Sequence, residues 1–175
     1  FFYTEFYKKF IKTCKHNINF NWEFMSYDLK KNKTSWKFNL SKGGGPLRFY
    51  GIHFIAILSK KYKNFENITS VITFKKNIPI RWKCKIITSS KKKIEISINT
   101  FSRKNKFTIL SGNKSLYNSS SPFSNYQKNK KKDYRIKYID YMISDLRKNN
   151  KYKVYKDSMI LWKKIEDKTK FVYEM

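Results

Sequence analysis

The chain has 175 residues, enough for one domain with a real core, and carries 40 Lys and Arg against 12 Asp and Glu, a net charge of +28. That excess argues against a free globular protein, which would carry the self-repulsion for no gain, and for one that neutralises a polyanion, nucleic acid first. The longest apolar run, Phe49 to Leu58, is about half the roughly 20 residues that span a bilayer, so no membrane span is expected.

Phe2, Phe6, Phe10 and Tyr3, Tyr7, Ile11 recur at four-residue spacing and predict an N-terminal helix over 1–15, unlike a secretory or organellar presequence. From Ile18 the period changes. Ile18, Phe20, Trp22 and Phe24 alternate with polar neighbours as in a half-buried strand. Asp28 to Lys33 then reads as a polar turn, and Trp36, Phe38 and Leu40 alternate again. A β-hairpin is expected, with Lys30, Lys31 and Lys33 at its tip.

Lys42-Gly43-Gly44-Gly45-Pro46-Leu47-Arg48 is the most distinctive stretch, since four of the five glycines lie between residues 43 and 51. Consecutive glycines turn at positive φ, and Pro46 suits a first helical turn. The pattern predicts an anion-accepting loop opening a helix over Arg48 to Tyr62, with a tight turn as the plainer reading. Ile68 to Phe74 is strand-like. Lys75 to Arg81 is a second basic turn, with Pro79 opposing continuation of the strand. Trp82 to Thr88 fits helix or strand, and Ile94, Ile96 and Ile98 alternate as a further strand. Arg103 to Lys106 closes the α/β domain, 16–106. The Ser-, Asn- and Lys-rich stretch 107–132 reads as a basic linker that cannot fold by itself. In the extension, 133–175, Asp133 caps a helix carrying Ile139, Met142, Ile143 and Leu146, and Met159 to Trp162 with Ile165 makes another.

No catalytic or metal-binding constellation stands out. Cys14 and Cys84 lack zinc-like spacing, and a reducing compartment is the default. Cys14 beside His16 reads as a buried thiol and a surface imidazole rather than a nucleophile and its base. Asp28, Glu95, Asp140 and Asp145 are scattered, which disfavours metal-dependent hydrolysis. Lysine runs at nearly every turn suit burial within an extended phosphate backbone. Abundant Lys, Asn, Ile, Phe and Tyr reflect A+T-rich coding, often an organelle's.

Asn21, Asp28, Asn32 and Trp36 fall, without a gap, at the intervals at which the small-subunit ribosomal protein eleven family places an Asn before a strand, an Asp opening a hairpin turn, an Asn within it and a Trp on the return. Lys76-Asn77-Ile78-Pro79-Ile80-Arg81 then matches that family's Lys-Gly-Pro-Gly-Pro-Gly-Arg loop at the Lys, one Pro and the Arg. A competing placement sets Lys42 to Arg48 on the same loop. Over about residues 16–106 the chain thus resembles this family, although its terminal His-Asn-Gly-Cys-Arg-Pro segment has no match after Thr100. The resemblance implies an α/β fold with a mixed sheet and two packed helices, the second beginning near Arg81. It implies a non-enzymatic constituent of a mitochondrial ribosome, in the matrix, without cofactors, at the platform near the messenger RNA exit. The expected partners are small-subunit ribosomal RNA, neighbouring platform proteins and messenger RNA. RNA contacts are expected at Lys30, Lys31, Lys33, Lys42, Gly43, Gly44, Gly45, Arg48, Lys75, Lys76, Arg81, Lys83, Arg103, Lys104 and Lys106. The alternatives are a peripheral subunit of a respiratory or ATP synthase complex and a metal-dependent nuclease.

Overall fold

Alternation governs where the strands form. In β1 (Ile18–Met25), Ile18, Phe20 and Trp22 are buried on one face while Asn19 is exposed on the other. The same period builds β2 (Phe65–Lys75), β3 (Ile78–Thr88), β4 (Lys93–Asn99), β5 (Phe101–Ser111), β6 (Lys114–Ser119) and β7 (Thr169–Glu174). A computed structural model describes residues 16–31, 33–120, 122 and 152–174. The expected N-terminal helix, Cys14, Asn32 and the expected helix after Asp133 lie outside the described residues.

The seven strands form one mixed sheet in the order β6-β5-β1-β4-β3-β2-β7. β1 runs parallel to β4 and β2 parallel to β7, and the other neighbours are antiparallel. The α/β class with a mixed sheet is as expected. Connections differ from expectation in two places. β1 does not form a hairpin with residues 36–40, because Ser35 and Asn39 cap two 3₁₀ turns there, Trp36–Phe38 and Leu40–Lys42. The ambiguous stretch Trp82 to Thr88 is strand, not a second helix, since Trp82, Cys84 and Ile86 alternate into the core. The sheet also runs past residue 106, through β5 and β6, and takes in β7 near the end of the chain.

Between β1 and β2 lie a short helix α1 (Tyr27–Lys30), the two 3₁₀ turns, a π-helical turn (Pro46–Gly51) and α2 (Ile52–Lys61). α2 covers one face of the sheet, burying Phe54, Ile55, Ile57 and Leu58. The Phe54 ring meets Phe20 with centroids 4.8 Å apart, a burial worth about 1.5–3 kcal/mol per side chain. α3 (Tyr152–Asp167) packs beside α2, where buried Ser59 and Ser158 join hydroxyls at 2.7 Å. Two small residues at that point let the helices approach closely.

One chain of hydrogen bonds ties the last elements to the sheet. The Trp82 indole N–H donates to Ser70 Oγ (2.9 Å), which lies 2.8 Å from Thr169 Oγ1, and Thr169 donates to the Ile165 carbonyl (2.7 Å). Because Thr169 gives its proton to Ile165, Ser70 must donate to Thr169. All three polar groups are thereby satisfied, and β7 is held in register against β2.

Candidate functional site

The segment from Ser26 to His53 sits at the carboxyl ends of the parallel strands β1 and β4, where open α/β sheets commonly place ligands. It is anchored by the Ser26 N–H on the Thr100 carbonyl (2.9 Å) and by the Thr100 N–H and hydroxyl on the Ile80 carbonyl (2.9 and 3.0 Å). Gly43 and Gly45 adopt φ of +79° and +88°, which favours glycine. The loop folds back on itself: the Gly43 N–H donates to Leu40 O (3.1 Å) and the Gly44 N–H to Asn39 O (2.8 Å). A Cβ on Gly44 would stand 2.3 Å from the Trp36 carbonyl oxygen. The Gly43 and Gly44 N–H groups are thus taken up within the loop itself.

The π-helical turn then leads into α2, a one-residue insertion of a kind found often at functional sites. Gly51 is needed there for space, since a Cβ would lie 2.4 Å from Trp82 Cζ3. Arg48, expected on RNA, faces Glu166 of α3, with Nε 2.5 Å from Oε1 and Nη2 3.3 Å from Oε2. Its Nη1 donates to the Leu40 carbonyl, and the Trp162 indole adds a bond to Glu166 (2.9 Å). This arginine fastens the loop to the C-terminal helix.

Aromatic rings line the segment in edge contact: Trp36 to Phe49 (5.3 Å), Phe49 to Tyr50 (4.8 Å) and Tyr50 to Trp22 (5.2 Å) and Phe24 (5.0 Å). Trp36 keeps 51% of its surface exposed. Lys37 stands over the Phe49 ring at 5.9 Å and pairs with Asp28 at 3.1 Å. The hydrogen bond from Lys37, with another from Ser35, holds the Asp28 carboxyl below its usual range. Burial raises the Tyr50 phenol, although a hydrogen bond with Ser26 opposes it. One turn on from Phe49, half-buried His53 has its imidazole pushed down by burial to about 4. It is neutral at pH 7. His53 is not among the residues expected at a site; a histidine in the first turn of the helix after a glycine loop is the signal that would have marked it.

The other expected RNA contacts are dispersed. Lys30 ends α1, Lys31 is its C-cap and Lys33 follows, while Lys42 closes a 3₁₀ turn. Lys75 ends β2, and Lys76 occupies the two-residue hairpin turn before β3 at φ +47°. Arg81 lies within β3, not at a helix start, and pairs with Glu174 of β7 at 3.2 Å. Lys83 shares that exposed sheet face. Arg103, Lys104 and Lys106 are exposed on β5, where Lys104 and Lys106 help the Asn21 hydrogen bond hold the Glu23 carboxyl low.

Cys84 is buried and its thiol is raised to about 12, leaving no accessible thiolate. Among the described residues no group of His, Cys, Asp and Glu could hold a metal ion, and no helix is long and apolar enough to cross a membrane. A cleft of about 620 Å³ lies at the opposite end of the sheet, between His16, Lys92, Ser111 and Lys114. It has no aromatic wall, and the candidate site is assigned to the Trp36–His53 side.

No protein-family model and no curated protein matches the sequence. Solved structures do match in fold. Over 97% of this chain and 57% of the other, D-galactose-1-dehydrogenase from Rhizobium etli is similar at a TM-score of 0.64 and 12% identity. KijD10, a 3-ketoreductase from Actinomadura kijaniata solved with NADP and TDP-benzene, is similar over 98% of this chain and 60% of its own at 0.55 and 9% identity. An oxidoreductase from Thermotoga maritima is similar over 93% and 56% at 0.54 and 14%. The chain therefore spans a little over half the length of these structures.

These likenesses correct the functional expectations drawn from charge and spacing. The fold is one that oxidoreductases use, which overturns the reading as a non-enzymatic ribosomal constituent and its alternatives, the respiratory-complex subunit and the nuclease. Ribosomal RNA, platform proteins and messenger RNA fall with it as partners. Arg48 and Arg81, expected on phosphates, here pair with Glu166 and Glu174.

Proposed function

We propose that this chain is the substrate-holding portion of an oxidoreductase that acts on a sugar or a similar polyhydroxylated compound. The observation that carries the reading is the fold, shared along 97% of the chain with a sugar dehydrogenase. The site supports it. The exposed face of Trp36, backed by Phe49, suits the C–H face of a sugar ring; Lys37 stands over the Phe49 ring, and His53 follows one turn on in α2, within the segment that would meet the hydroxyls. A neutral imidazole can exchange hydrogen bonds with a hydroxyl without burying a charge. Since His53 titrates near 4, it is a poor proton store at neutral pH. Its role is to hold and orient the hydroxyl of the carbon to be oxidised, or the carbonyl oxygen in the reverse direction.

A nicotinamide dinucleotide does not fit the residues described. No G-x-G-x-x-G occurs among the five glycines, and the N–H groups of Gly43 and Gly44 are occupied within their own loop. The nucleotide is accordingly assigned to a part of the enzyme outside these residues. Saturation-transfer NMR of the chain with D-galactose, a cyclic polyol and NADH tests the reading. Transfer to the sugar or polyol is expected, strongly reduced in Trp36→Ala, with none to NADH. Transfer to neither, or an unchanged signal in Trp36→Ala, would overturn it.

A further inference from the structure

The far edge of the sheet carries a second feature. Among the described residues β7 pairs on one side only, with β2. Its middle is apolar and exposed: Phe171 is 55% exposed, Val172 48% and Tyr173 63%. Phe171 and Tyr173 lie on the face of Phe74, with ring centroids 5.7 and 5.0 Å away, while Lys170, Val172 and Glu174 alternate onto the other face. Proteins usually blunt such an edge with a bulge, a proline or a central lysine. β7 has none of these in its middle, whereas the opposite edge, β6, is mostly polar and sits beside a register shift in β5.

The strand is also self-complementary. Read against itself antiparallel about Val172, Lys-Phe-Val-Tyr-Glu sets Lys170 opposite Glu174, Phe171 opposite Tyr173 and Val172 opposite Val172. Aromatic and opposite-charge cross-strand pairs are the favourable ones, and both occur twice by symmetry. A parallel in-register pairing would instead set lysine against lysine and glutamate against glutamate. The edge is rigid enough to template this pairing, because Thr169 is locked to Ser70 and Ile165. We infer that two copies of this chain associate through antiparallel β7 strands centred on Val172, joining two seven-stranded sheets into one of fourteen strands.

Sedimentation equilibrium of the full chain should show a monomer–dimer equilibrium. Lys170→Glu and Glu174→Lys should each weaken self-association about tenfold or more, since each sets like charges opposite one another twice; Glu174→Lys also loses the Arg81 pair within the chain, so Lys170→Glu is the cleaner of the two. Mixing the two variants restores both opposite-charge pairs, so a heterodimer should form while each variant alone stays monomeric. Val172→Cys in a Cys14→Ser background should give a disulfide-linked dimer on oxidation, and Thr169→Cys should not. Circular dichroism of the variants guards against misfolding, as Lys170 and Val172 are outside the core. A chain that stays monomeric at all concentrations, or a dimer indifferent to Lys170→Glu and not captured through Val172→Cys, would overturn the inference.

Discussion

Gly51 and His53 show how differently two neighbouring residues can matter. Gly51 adopts an ordinary helical φ, yet a methyl group there would meet Trp82 at 2.4 Å. Gly51→Ala should therefore destabilise the fold by about 2–3 kcal/mol, an overpacking cost, because Trp82 is fully buried and held by Ser70. Urea unfolding measures it, and an unchanged midpoint would show that Trp82 can step aside. His53 acts through pH. Its folded value of about 4 lies below the ordinary 6.5, so the unfolded chain binds the proton more readily between those values. Stability is then fully present above about pH 6.5 and falls by roughly 2–3 kcal/mol towards pH 4. Equilibrium unfolding across that range should show the decline, and His53→Gln should flatten it above the carboxylate range. The glycine cluster did mark this region in the sequence. The structure adds a packing reason: a side chain at Gly44, Gly45 or Gly51 would meet Trp36, Leu40 or Trp82, and the Gly43 and Gly44 N–H groups bond within the loop.

Elements were legible where burial is one-sided. Ile18, Phe20 and Trp22, or Ile94, Ile96 and Ile98, alternate so regularly that β1 and β4 can be read directly. Their pairing could not be, because a parallel contact between residues 76 positions apart leaves no local trace, while Trp36, Phe38 and Leu40 imitate a nearby partner. The tie between the loop and α3 was equally hidden. Arg48 and Glu166 lie 118 positions apart, and their bidentate contact is half-buried and shared with Trp162. Glu166→Ala should cost about 1–3 kcal/mol by stranding three N–H donors, two of Arg48 and one of Trp162. Glu166→Gln, which keeps acceptor capacity for Trp162, should cost less. Thermal unfolding of both variants decides it; a cost near zero for Glu166→Ala would make the pair an ordinary surface contact.

At the scale of the molecule, net charge proved a poor guide. A surplus of +28 says that the surface repels itself and favours anions, and says little about fold. Here lysines crown turns and the open sheet face, whereas the candidate wall is aromatic, with the neutral His53 one turn on from Phe49. The central claim is that a polyhydroxylated substrate rests at that wall. Only two histidines occur in the chain, His53 in the first turn of α2, one turn on from Phe49, and His16 beside the cleft at the opposite end of the sheet. In a protein labelled with ¹⁵N-histidine, titration with D-galactose or a cyclic polyol should move the His53 ring signals saturably and leave those of His16 in place. Signals that stay fixed at both histidines, or that move equally at both, would contradict the account.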